Sequence, residues 1–175
     1  MDYKMISLIA SVIIFNAYAI GITIKFGWLR SISISWKYLG TKNKWIFTVT
    51  LFTFSILLII AGQTLLLFLA GALICLTGAA ANTWELEMTE TSHVIGATGG
   101  IILGTLALIA LPSPFKQYDI VSNIFVKDFG FWFLVVPQLI FTILAMRLNM
   151  RNHTFWIEVV AFNITALAVL INLIK

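Results

Sequence analysis

The sequence predicts an all-α protein: a polytopic transmembrane bundle of six helices with short loops, formed by residues 1–175 as one domain. Three observations carry this. Of the 175 residues, 61% are hydrophobic and only 10% charged, and the mean hydropathy is +1.02. Soluble domains average about 45–50% apolar and about 25% charged. Such a chain has too little charge to coat a water-facing surface. That excludes an ordinary soluble enzyme, a disordered chain and a nucleic-acid binder. Second, the apolar residues fall into runs near the ~20 residues that a helix needs to cross a bilayer. Third, the charges collect between those runs, where they set topology.

The first span is expected over about 5–24. Lys4, an apolar run and Ala17-Tyr18-Ala19 resemble a cleavable leader. The apolar character continues through Ile24, however, and cleavage would leave the basic 25–44 loop outside, so the segment reads as a retained signal anchor. The uncharged stretch between Lys44 and Glu85 would be about 58 Å long as one helix, nearly twice the hydrocarbon core. It must fold back, and Gly62-Gln63-Thr64 is the natural turn. Spans are thus expected at 45–61 and 65–81. The fourth, 93–111, stops at Pro112-Ser113-Pro114. The fifth covers 129–146 and the sixth 154–174. Between spans four and five, Lys116, Asp119, Asn123 and Lys127 recur at three- and four-residue steps. Residues 115–128 therefore read as an amphipathic segment lying in the outer interface.

Orientation follows from the cations. Loops after spans one, three and five carry Lys25, Arg30, Lys37, Lys42, Lys44, Arg147 and Arg151; the other side carries Lys4, Lys116, Lys127 and Lys175. The richer side is expected in the cytoplasm, which places both termini outside a cytoplasmic membrane. Trp28, Trp36, Trp45, Trp84 and Trp156 fall near the proposed inner boundary and Trp132 near the outer one. Indole rings prefer that headgroup level. The basic loop contains Ser31-Ile32-Ser33-Ile34-Ser35. Its period of two suits a strand-like or irregular surface segment, and its cations suit an anionic lipid surface.

Gly96, Gly100 and Gly104 stand four residues apart in span four, a groove for close helix packing within the chain or in a homo-oligomer or membrane-protein partner. Glu158, Ala161, Thr165, Ala168 and Asn172 form one small and polar stripe in span six. Gln138, Thr142, Ala145 and Asn149 form another in span five, next to Pro137. A charge at the bilayer centre costs at least about 2.5 kcal/mol, so both stripes are expected to face the bundle interior. Cys75 is the only cysteine and reads as a small core residue.

One chemical constellation stands out. The loops before spans four and six lie on the same side and bring together Glu90, His93, His153 and Glu158. Glu90 and His93 share a helix face at i, i+3. A carboxylate and an imidazole at that spacing can share a proton or hold a divalent metal. The structural alternative is capping and charge balance. Asn82 with Glu85 matches a capping box, and the glutamates can neutralise Arg147 and Arg151. There is no phosphate-binding Gly-Lys loop, so ATP use is unsupported.

Two segments resemble a family. Ser31-Ile32-Ser33-Ile34-Ser35-Trp36-Lys37-Tyr38-Leu39, and Gly78-Ala79-Ala80 followed by His93-Val94-Ile95-Gly96-Ala97, resemble motifs of small, uncharacterised six-helix membrane proteins of Bacteroidetes-type bacteria and their phages. The resemblance implies a six-helix fold and no activity. A more distant likeness is to the ceramidase-like membrane hydrolases, which hold a metal through three histidines. This chain has two histidines, His93 and His153, and six expected spans rather than seven. The leading expectation is therefore a non-enzymatic membrane protein: a partner, sensor or small conduit. A metal-dependent hydrolase built on Glu90, His93, His153 and Glu158 is one alternative. A proton- or ion-coupled small-solute transporter is another.

Overall fold

The computed structural model describes residues 2–62, 64–83, 86–110, 136–147 and 152–174; within these, the side chains of 81–83, 86–90, 93, 108–110, 145 and 172 lie outside the description. The described residues are helical throughout, apart from the turns. The helices are α1 (Tyr3–Phe26), α2 (Gly40–Gly62), α3 (Leu65–Thr83), α4 (Leu86–Ala110), α5 (Val136–Arg147) and α6 (His153–Leu173). A 3-10 turn, Ser35–Lys37, lies between α1 and α2. The expected interfacial segment 115–128 lies outside the described residues, as do residues 129–135 of the fifth expected span.

Among the described residues, α1, α2 and α6 are long and apolar enough to cross a membrane. α3 and α4 contribute shorter apolar stretches, Leu65–Ala80 and Val94–Ala107. The outer surface matches an apolar solvent. Ile6, Ile13, Ile20 and Ile24 of α1 are exposed, as are Phe68 of α3, Ile102 of α4 and Ile143 of α5. A contiguous apolar exterior of this kind is unstable in water.

Several boundaries differ from the sequence expectation. α1 takes in Lys25, and α2 begins at Gly40, so Lys42 and Lys44 belong to a helix rather than to the loop. Long basic stems can lie along a helix end while their charges reach water. α3 continues to Thr83, which puts Asn82 in its last turn rather than at the N-cap of α4. α4 starts at Leu86, seven residues before the expected His93. The turn between α2 and α3 falls where expected, with Gly62 ending one helix. The Thr64 hydroxyl accepts from Leu67 N–H at 3.2 Å and so caps the next.

Consecutive helices α1 to α4 pack side by side, α4 packs on α6, and α6 returns to α1. The result is a closed ring of five helices, with α5 lying outside against α6. Specific contacts hold each joint. Ser11 Oγ donates to Phe54 O at 2.8 Å between α1 and α2, and Thr48 Oγ1 to Gly78 O at 2.6 Å between α2 and α3. Between α3 and α4 the glycines set the approach. A Cβ on Gly96 would stand 2.7 Å from Leu73 O, and one on Gly100 would stand 2.7 Å from Ile74 Cγ1. A backbone oxygen cannot yield as a side chain can, so Gly96 is the tighter constraint. Gly104 is different: a Cβ there would meet only Thr165 Oγ1, at 3.8 Å.

The α1–α6 joint is polar as well as aromatic. Asn16 Nδ2 donates to Asn163 Oδ1 at 3.0 Å, and Asn163 Nδ2 returns a bond to Asn16 Oδ1 at 3.2 Å. Each amide also donates to the carbonyl four residues back. Beside this pair, Phe15 stacks on Phe162 at 3.9 Å between ring centroids, and both meet Phe54 edge-on at 5.2 Å. The three rings join α1, α2 and α6. A double-mutant cycle with Asn16→Ala and Asn163→Ala is expected to show a coupling of about 0.6–1.7 kcal/mol in reversible unfolding of the purified protein. A coupling near zero would show that the amides do not act as a pair.

Candidate functional site

The segment between α1 and α2 builds the site. Gly27 has φ 74° and Gly40 has φ 68°, a region that side chains other than glycine resist. These two residues let the chain leave α1, fold inward and re-enter α2. Residues between them are not the surface segment that the Ser/Ile alternation suggested. Leu29, Ile32, Trp36 and Leu39 are buried, together with Ser31 and Ser35. Trp36 therefore packs inside, with Lys44 Nζ 4.8 Å from its ring centre, rather than joining an interfacial belt. Trp28 and Trp45 do remain exposed. Trp84 and Trp132 lie outside the described residues.

Polar bonds fasten this segment to both neighbouring helices. Tyr18 Oη and Ser35 Oγ share a hydrogen bond at 2.6 Å. Phe155 N–H, in the first turn of α6, donates to Arg30 O at 2.9 Å. Ser31 Oγ shares a bond with Ser33 Oγ at 3.0 Å and accepts from Ile34 N–H at 3.2 Å. The central contact is with α6. The N–H groups of Ile32 and Ser33 both donate to Oε2 of Glu158, the second at 3.2 Å. The serines that made the loop look strand-like are thus donors and turn-formers around a single acid.

Glu158 forms one end of a half-open cavity of about 100 Å³ lined by the ring of five helices. Its wall is mostly apolar, with Phe15, Leu58, Leu67, Ile101 and Phe162 among the lining residues. Small residues on α3, α4 and α6 line it, namely Ala70, Gly71, Ala97, Gly100, Gly104 and Ala161, and of the three glycines Gly104 is the one where a Cβ would find open space. Polar groups are few, namely Ser33, Ser55, Thr77 and Thr165 beside Glu158. Thr77 and Thr165 return their hydroxyls to the carbonyls four residues back. Ser55 is 1% exposed, and its hydroxyl has no conventional hydrogen-bond partner; the Cys75 thiol is its polar neighbour.

The sequence-derived candidates separate in the structure. Glu158 lines the cavity and is engaged by backbone donors. His153 opens α6 five residues earlier, about 140° away around the helix, and is half-buried. Glu90 and His93 lie in α4, and their side chains are outside the description. Among the described residues no group of three His, Cys, Asp or Glu side chains gathers as a metal site would require. The stripe of α6 faces inward, since Ala161, Thr165 and Ala168 are buried. Gln138 of α5 is buried too, but its Nε2 donates to Thr105 Oγ1 of α4 at 3.0 Å rather than reaching the α6 stripe. Gly96 and Gly100 face α3, while Gly104 borders the cavity. Sequence reasoning passed over Ser55 and read the serine loop as a surface segment. A lone hydroxyl in the apolar run of α2 was the available signal for the first.

Comparison with known proteins finds no matching family model, no matching curated protein and no matching solved structure. The geometry of the site therefore carries the functional argument.

Removing the acid tests the geometry directly. Glu158→Ala leaves the Ile32 and Ser33 N–H groups without their acceptor, at about 1–3 kcal/mol for each buried donor left unpaired. Hydrogen exchange at Ile32 and Ser33 is expected to accelerate and trypsin to cleave faster at Arg30. Unchanged protection would mean that the loop does not depend on Glu158.

Proposed function

We propose that the chain is a multi-pass protein of a cytoplasmic membrane that works without catalysis, as a binding module or small conduit whose working part is the cavity. The membrane assignment rests on the three long apolar helices and the apolar exterior. The cation count gives the orientation, with the 25–44 segment inside and both termini outside.

One observation carries the binding reading: the helices line a half-open apolar cavity of about 100 Å³ with a single carboxylate at its end. Protein interiors are close-packed, and voids larger than a water molecule are few. Gly104 leaves open space on its face of this one, and a leucine there would grow into it and add apolar contact. An apolar cavity of comparable size, about 150 Å³, binds benzene or xenon.

Two experiments test the reading. Xenon is expected to give a distinct, exchange-shifted NMR signal with the purified protein in nanodiscs. The Gly104→Leu variant, whose side chain grows into the open space, is expected to shift that signal as the space narrows while keeping its helical circular dichroism. Identical xenon spectra for the two proteins would overturn the cavity as a binding site. For topology, a reporter fused after Lys175 is expected to be active only if it works outside the cytoplasm. Activity of a cytoplasm-restricted reporter there would reverse the orientation.

A further inference from the structure

The charge balance at Glu158 is incomplete. Its hydrogen-bond partners are neutral: the two backbone N–H groups of Ile32 and Ser33. Among the described residues no lysine or arginine pairs with it; Arg30, the nearest cation in sequence to the bound loop, is exposed. Both backbone donors address Oε2. A carboxylate has about four acceptor positions, so Oε1 retains capacity. Glu158 also keeps accessible surface while lining the cavity. A buried acid without a counter-ion is costly to maintain and marks a functional group more often than a structural one.

The rest of the cavity states what accompanies the missing charge. Hard metal ions want six or more oxygen ligands, and the wall here is hydrocarbon over most of its area, with Phe15, Leu58, Leu67 and Phe162 facing the space. A water molecule needs two to four polar partners, and only the Glu158 end provides several. Along α6 the cavity runs from Glu158 to Thr165, seven residues, or about 10 Å. The space is therefore elongated, negative at one end and greasy beyond it. Ser55 adds a hydroxyl, 99% buried, in the α2 wall, whose polar neighbour is the weakly bonding Cys75 thiol.

Building on the binding reading above, we infer that the cavity takes a small organic ammonium ion: a primary amine on an aliphatic body of about four to six carbons, a size set by the cavity volume. The ammonium group sits on the free side of the Glu158 carboxylate and the chain lies between Phe162, Leu58 and Leu67. The ammonium supplies three donors and the positive charge that the site lacks. The aliphatic body takes the place of side chains that the glycines and alanines omit. The loop that holds Oε2 then has a second role, since it fixes the carboxylate so that Oε1 is presented to the cavity.

The test uses the purified full-length protein in nanodiscs, with n-hexylamine, n-hexanol and n-pentane as probes, followed by saturation-transfer NMR and thermal unfolding. The wild type is expected to bind n-hexylamine roughly tenfold or more tightly than n-hexanol, and the Glu158→Gln variant to erase that preference. Glutamine keeps a carbonyl oxygen for the Ile32 and Ser33 N–H groups, so the loop stays bound; amide protection at Ile32 checks this. The Gly104→Leu variant supplies an independent arm, because it shortens the far end without touching the acid. It is expected to shift the preferred chain from n-hexylamine to n-propylamine while retaining the preference for amine over alcohol. Equal binding of amine and alcohol by the wild type, or an undiminished amine preference in Glu158→Gln, overturns the inference. Xenon binding separates the two levels: if xenon enters and the amine preference is absent, the ammonium inference alone fails. If xenon does not enter, the cavity reading fails with it.

Discussion

A carboxylate on an apolar helix must find partners, because hydrocarbon solvates neither its charge nor its lone pairs. Glu158 finds them in the backbone N–H groups of Ile32 and Ser33, 126 and 125 residues away in sequence. That requirement shapes much of the molecule. The chain after α1 has to turn inward, so residues with positive φ stand at Gly27 and Gly40. The serines have to present donors and close tight turns rather than face water. α6 has to start beside the loop, which the bond from Phe155 N–H to Arg30 O secures. α1 and α6 then become neighbours, and the ring closes around the space between them and α2, α3 and α4.

The ring also explains why the polar residues of the helices behave differently from one another. Asn16 and Asn163 satisfy each other and their own helices, so they pin the register of α1 against α6 and leave nothing free. Thr77 and Thr165 return their hydroxyls to their own backbone and present little polarity to the cavity. Glu158 and Ser55 are the exceptions, one without a counter-ion and one without a conventional partner. Both line the same space. That coincidence is why the proposed binding reading is placed at this cavity. Gln138 leaves its Oε1 unmatched as well, but on α5, outside the ring.

The glycines of α4 illustrate how one sequence pattern can have two uses. Gly96, Gly100 and Gly104 share a helix face by spacing. The first two bring α4 against the backbone and side chains of α3, where an added Cβ has no room. The third faces open space, and there the missing side chain makes volume rather than contact. Spacing alone cannot distinguish the two, because the difference lies in what the neighbouring helix does.

The sequence by itself determined the helical class, the turn at Gly62–Thr64 and the inward stripe of α6 that starts at Glu158. Each of these follows from local physics: span length, helical period, turn chemistry and the energy of charge in an apolar medium. Helix ends were less legible. Lys25, Lys42 and Lys44 count as loop by charge, yet a helix tolerates them where their stems can reach water. Only the tertiary structure decided the partner of Glu158, the burial of Trp36 and the inward fold of the serine loop. It also decided that five helices close a ring around a cavity. These depend on which distant segments meet, and no periodicity within one segment encodes the hydrogen-bond acceptor on another.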